Sequence, residues 1–177
     1  MATLQGRQVY VKSKTGLYLA RGSSDYTYVW GTVVTESATN SGLPSSDAVW
    51  LMRWPFDAGN TKGPQQDTSR WPSSETTSTN FHLVHPDGSV ALHWPSPQSQ
   101  IYLGPYYIEN GEDASANDGF NCRRDVLAND PAGYSYFALN NSDRSLVADI
   151  GTIVSAWPWN GGDNQQWQFI AVGGAPI

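Results

Sequence analysis

Between Trp157 and Trp167 the chain places Trp157 and Trp159, Asn160 and Asn164, and the triplet Gln165-Gln166-Trp167, with Gly161-Gly162 to turn the backbone. Indole rings beside carboxamides are poor equipment for proton transfer. They suit a neutral, polyhydroxylated ligand, whose C–H face stacks on a ring while its hydroxyls bond amide and carboxylate oxygens. An acidic residue, Asp149, closes the apolar run Leu146-Val147-Ala148 shortly before this segment. A carboxylate there accepts charge-assisted hydrogen bonds, roughly twice as strong as neutral ones.

Other chemistry is less well provided for. Cys122 sits beside Arg123 and Arg124, a setting that lowers a thiol pKa, but nothing in the sequence brings it to His82 or His85 as a nucleophile needs. The three histidines have no metal-ligand spacing. Glu109, Glu112, Asp113, Asn117 and Asp118 make an acidic stretch without the glycine and closing Glu of a calcium loop, so it reads as solvated charge. Neither a metal nor a cofactor is expected.

Something must hold these residues in place, and the pattern is one of strands. No run of ten or more residues has apolar positions at helical spacing with a plausible cap. Instead, three pairs of apolar runs flank turn residues: Val9–Lys12 and Leu17–Ala20 around Thr15-Gly16, Phe81–Val84 and Val90–His93 around Pro86-Asp87-Gly88, Tyr136–Leu139 and Leu146–Asp149 around Asn141-Ser142-Asp143. Downstream of each pair stands an aromatic, Trp50, Phe120 or Trp167, with Asp47, Asn117 or Asn164 three residues earlier. This is a threefold internal repeat. Repeats over about 7–54, 79–127 and 134–170 form one all-β domain spanning 1–177, with some twelve strands closing into a barrel capped by hairpins. The stretch 55–78, rich in Pro, Ser, Thr and Gly, is a long surface excursion. Trp50, Phe120 and Trp167 belong in the core. Of Trp157 and Trp159, which flank Pro158, one is expected to face in and the other out.

Composition bounds the partners. With 10 Lys+Arg against 16 Asp+Glu the net charge is −6, the wrong sign for phosphate-driven nucleic-acid or anionic-membrane binding. A lone cysteine, Cys122, forbids an intrachain disulfide. The first residues have no apolar run of signal-peptide type, so the expectation is a cytoplasmic protein, or one released without a classical leader. The sequon Asn140-Asn141-Ser142 would then go unused.

Three degenerate repeats ending in an aromatic, with Asn164 ahead of Gln165-Gln166-Trp167, resemble the ricin-B-type β-trefoil lectins, whose signature is Gln-x-Trp. The resemblance is loose over nearly the whole chain and close over the last forty or so residues. It implies a β-trefoil and a non-catalytic lectin for galactose- or N-acetylgalactosamine-type glycans. Asp149 matches the family's sugar-binding Asp, Trp157 its aromatic platform, Asn164 its amide, and Gln165 the signature Gln that orients the site from behind. The interval from Asp149 to Trp157 is shorter than in most members. In the first repeat Ala20 and Ala48 stand where Asp and Gln are expected, which removes that site. In the second, His93 takes the Asp position and Asp118 that of Gln, Asn117 is kept, and Tyr106 or Tyr107 offers a platform: an altered second site of His93, Tyr107 and Asn117. The family's disulfides are absent, as in leaderless fungal lectins. Cross-linking of glycans would need a homodimer or a working second repeat.

Two other readings compete. β-Trefoils also carry protease-inhibitory loops, and here Gln65, Gln66, Arg70 and Trp71 would form one. The third is a protein-binding scaffold with a vestigial sugar site.

Overall fold

The computed structural model describes residues 6–22, 31–53, 81–93, 101–106, 108–109, 112–113, 122–126, 135–139, 144–148 and 154–174. The 55–78 excursion and Phe120 lie outside them.

Fourteen strands are seen among these residues: β1 (Arg7–Ser13), β2 (Tyr18–Arg21), β3 (Gly31–Glu36), β4 (Trp50–Arg53), β5 (His82–Val84), β6 (Val90–His93), β7 (Tyr102–Pro105), β8 (Ile108–Glu109), β9 (Glu112–Asp113), β10 (Cys122–Val126), β11 (Ser135–Leu139), β12 (Arg144–Ala148), β13 (Val154–Pro158) and β14 (Gln166–Ala171). Twelve belong to one sheet, and β8–β9 is a separate two-residue hairpin carrying Glu109 and Glu112 in direct register. No helix of the described residues is long and apolar enough to cross a membrane.

Two pairing systems account for the sheet. A barrel ladder runs β10-β11-β14-β1-β4-β5, every neighbour antiparallel. Three hairpins, β2–β3, β6–β7 and β12–β13, then cover it. Each third of the chain thus contributes four strands, with β8–β9 inserted in the middle one. This is a β-trefoil, the architecture expected from the repeats.

The turn residues perform as their types dictate. Gly16 has φ +96° and Gly88 φ +74° at the β1–β2 and β5–β6 turns, a left-handed backbone that β-branched or bulky residues resist. At β1–β2 the turn is further stapled by Ser13, whose Oγ accepts from Leu17 N–H at 3.2 Å.

Trp50 and Trp167 are fully buried in the central cluster with Val9, Leu19 and Phe169. Burying one indole removes about 4–6 kcal/mol of apolar surface from water before entropy costs. Trp50 also donates from Nε1 to the Leu19 carbonyl at 3.0 Å, so its polar edge is satisfied inside the core. A single 3-10 turn precedes each ring, Ser46–Ala48 before Trp50 and Asp163–Gln165 before Trp167. The repeat seen in the sequence is therefore also a repeat of local backbone.

Candidate functional site in the third repeat

The strand β13 sets the outward face of the site. Val154 and Ala156 point into the central core, so the pleat turns Ser155 and Trp157 the other way. Ser155 is still covered, whereas Trp157 is 52% exposed. No other aromatic among the described residues is counted with the exposed large apolar side chains, Leu43 and Val172 being its companions there. Trp159, beyond the strand end, is half-buried. Of the two candidate rings, Trp157 is thus the outer one.

Behind Trp157 the backbone is held by a buried carboxamide. Gln165, 1% exposed, donates from Nε2 to the Pro158 carbonyl at 2.9 Å and to the Trp157 carbonyl at 3.5 Å. Its Oε1 accepts from the Asn160 N–H at 2.8 Å. One side chain therefore templates four residues, 157–160, as both donor and acceptor. Gln165 positions the site and is too deep to touch a ligand itself.

The returning loop is equally constrained. Asn160 Oδ1 accepts from Gly162 N–H at 2.8 Å, an Asx turn. Gly161 takes φ +80°. Gly162 has an ordinary φ of −65°, so it is glycine for lack of room: a Cβ there would lie 2.7 Å from Asn164 Oδ1 and 3.0 Å from Asn160 Oδ1. Asn164 follows in the 3-10 turn, half-buried, and its carboxamide makes no hydrogen bond to the described residues.

Gln166, the middle residue of Gln-x-Trp, braces the loop from the opposite side. Its Nε2 donates to the Gly161 carbonyl at 3.0 Å and approaches Asp163 Oδ1 at 3.4 Å, while its Oε1 accepts from Lys14 Nζ at 3.1 Å. Lys14 also pairs with Asp163 at 3.1 Å. Sequence reasoning missed both Gln166 and Lys14, which lie far apart in the chain and meet because β1 pairs with β14.

Asp149 is the first residue after β12 and lies outside the described residues. The β12–β13 register pairs Ala148 with Val154 and Ser145 with Trp157. Trp157 therefore sits about 10 Å along the hairpin from the last described residue of β12. The 3-10 turn that carries Asn164 packs alongside β12.

The other two repeats differ. In the first, Ala20 and Ala48 pack together with Tyr18 and the half-buried Tyr10. Tyr10 and Tyr18 meet edge to face at 6.0 Å, and Lys12 Nζ lies 5.3 Å above the Tyr18 ring. Apolar contact fills the positions where the resemblance to the lectins leads one to expect Asp and Gln. In the second, His93 is 4% exposed, and burial lowers its pKa below the ordinary imidazole value. A side chain so covered is not placed to bond a ligand's hydroxyls as the expected second site would require. Tyr106, considered as a platform, is instead buried with Leu51, Val84 and Ala91 and packs edge-on to His82. Tyr107 and Asn117 lie outside the described residues. Cys122 is on β10, opposite Leu139.

No protein-family model matches the chain, and no curated protein matches it in sequence. Solved structures share its fold. The designed threefold-symmetric protein ThreeFoil superposes with a TM-score of 0.58 at 18% identity, over 92% of this chain and 96% of that one. For the SDF2-like protein of Arabidopsis thaliana the TM-score is 0.61 at 12% identity, over 94% of each chain. For the Macrolepiota procera ricin B-like lectin, solved in complex with lactose, it is 0.57 at 12% identity, over 94% of this chain and 96% of that one. Such low identities establish architecture and nothing finer: the chain is a β-trefoil.

Proposed function

We propose that the protein is a non-catalytic lectin that holds galactose- or N-acetylgalactosamine-terminated glycans at its third repeat. The observation that carries this reading is the exposed Trp157, clamped from behind by Gln165, in one loop with an Asn164 carboxamide that makes no hydrogen bond to the other described residues. An indole face takes the apolar side of the sugar ring, Asn164 bonds a hydroxyl as donor or acceptor, and Asp149 supplies the carboxylate. Lactose in the Macrolepiota procera lectin supports the choice of sugar class. Aromatic and amide groups recognise such a ligand without altering a bond in it.

One site of this kind is weak. Ring stacking adds about 0.5–1.5 kcal/mol, and a few neutral hydrogen bonds add about 1 kcal/mol each. Useful affinity for clustered glycans then comes from a homodimer, which presents the site twice.

A glycan array probed with labelled full-length protein tests the reading. Binding to galactose- or N-acetylgalactosamine-terminated glycans, lost in Trp157→Ala with unfolding unchanged, is the expected result. A silent array from folded protein would reject it.

A further inference from the structure

We infer that Lys14, on the turn between β1 and β2, is a positioning residue of the third-repeat site, holding the Asn164 turn in its ligand-ready form from another repeat. The inference rests on the lectin reading for its functional consequence.

The two 3-10 turns of the described residues are fixed in different ways. In the first repeat, Ser45 caps its own turn: Ser45 Oγ accepts from Asp47 N–H at 3.2 Å. In the third repeat the cap position is Gly162, which makes no side-chain cap bond. A short helical turn with an unsatisfied start is marginal by itself. Here the restraint comes from outside. Lys14 Nζ reaches Asp163 Oδ1 at 3.1 Å and Gln166 Oε1 at 3.1 Å, and Gln166 Nε2 approaches the same Asp163 oxygen at 3.4 Å. The Lys14 N–H also donates to the Gln166 carbonyl at 2.8 Å. Two points of attachment, one backbone and one charged, thus bracket the turn on which Asn164 sits.

The arrangement is particular to this repeat boundary. Ser13 pairs with Trp167, and Lys14 comes next. Continuing the β4–β5 register by one residue sets His85 beside Trp50, and their rings do meet edge to face at 6.4 Å. The residue after His85 is Pro86, which has neither an ammonium nor an N–H. The first-repeat turn could not be held this way, and it is the one with its own cap.

A preformed turn binds without first being ordered, so loosening it shows as lost affinity. Titration with lactose and with N-acetylgalactosamine is compared for wild type, Lys14→Met, Lys14→Arg and Lys12→Met, together with amide hydrogen exchange across 161–166. Lys12→Met makes the same charge change two residues away. Lys14→Met is expected to weaken binding about 3- to 10-fold and to speed exchange at these amides. Lys14→Arg should restore both, and Lys12→Met should alter neither. Because the Lys14–Asp163 pair is solvent-accessible, wild-type affinity should also fall with added salt and the Lys14→Met affinity should not. Wild-type affinity in Lys14→Met would overturn the inference. If the wild type binds neither sugar, the lectin reading fails by itself, and unchanged exchange in Lys14→Met would still refute the bracing role.

Discussion

Gln165 donates to the Pro158 carbonyl at 2.9 Å, and its other amide atom accepts from the Asn160 N–H at 2.8 Å. Gln165 is thus a brace between a strand end and the loop that follows it. Gln165→Ala would empty a buried position and leave the partly covered Pro158 carbonyl and Asn160 N–H without this partner, at about 1–3 kcal/mol in all. Urea unfolding should show a loss in that range, and glycan affinity should fall with it because the ledge under Trp157 is gone. Unchanged stability would mean that water replaces the side chain.

Gly162→Ala separates binding from folding. The new methyl meets Asn164 Oδ1 at 2.7 Å, the free end of a side chain, while the φ of −65° suits alanine. Asn164 should swing aside, so stability changes by less than about 1 kcal/mol. Sugar affinity nevertheless drops several-fold by calorimetric titration. A large stability loss with intact binding would contradict this account.

His93 gives the fold an acid sensitivity. Burial lowers its pKa below the ordinary 6.5, so below that pH the unfolded chain takes up a proton that the folded chain refuses. Its contribution to stability is full above about pH 6.5 and is lost as pH falls from there toward the folded-state value. Unfolding free energies measured at pH 7 and pH 5 should differ less in His93→Gln than in wild type. An unchanged difference would assign the acid sensitivity elsewhere.

Asp87 acts in a lower window. Burial by itself would raise its pKa, but Ser89 N–H at 2.9 Å, Ser89 Oγ at 2.7 Å, Arg21 Nη1 at 2.6 Å and the nearby His85 together hold it well below the usual carboxylate range. That stability is present above about pH 4 and disappears as pH falls through the depressed folded value. Asp87→Ala releases Arg21 and the β5–β6 turn. It should cost on the order of 1 kcal/mol at pH 7, since the carboxylate is partly exposed and its pairing is screened. In thermal melts the gap between variant and wild type should be smaller at pH 3 than at pH 7, and it should close only at still lower pH, below the depressed folded value.

Much of the fold was legible because its signals are local. A glycine between two apolar runs marks a turn whichever strands lie beyond it, and Gly16 and Gly88 both take the left-handed backbone this needs. The aromatics at 50 and 167 could be placed in the core from their phase alone, and both are fully buried. The contrast between Trp157 and Trp159 did not come from alternation, since residues two apart in a strand share a face. Strand β13 ends at Pro158; Val154 and Ala156 meet the core, so Trp157 is outside, while Trp159 beyond the strand end is half-buried.

The sequence by itself determined the strands, their threefold recurrence and the chemical character of the last loop, because spacing and residue type act over a few positions. Tertiary structure decided which of those residues became working parts. Closure of the barrel sets β1 against β14 and so delivers Lys14 to Gln166 across nearly the full length of the chain. The same packing buries Tyr106 and His93, whose types had suited them to a second site. Burial and long-range pairing depend on which surfaces meet when the sheet closes, and no short stretch of sequence contains that information.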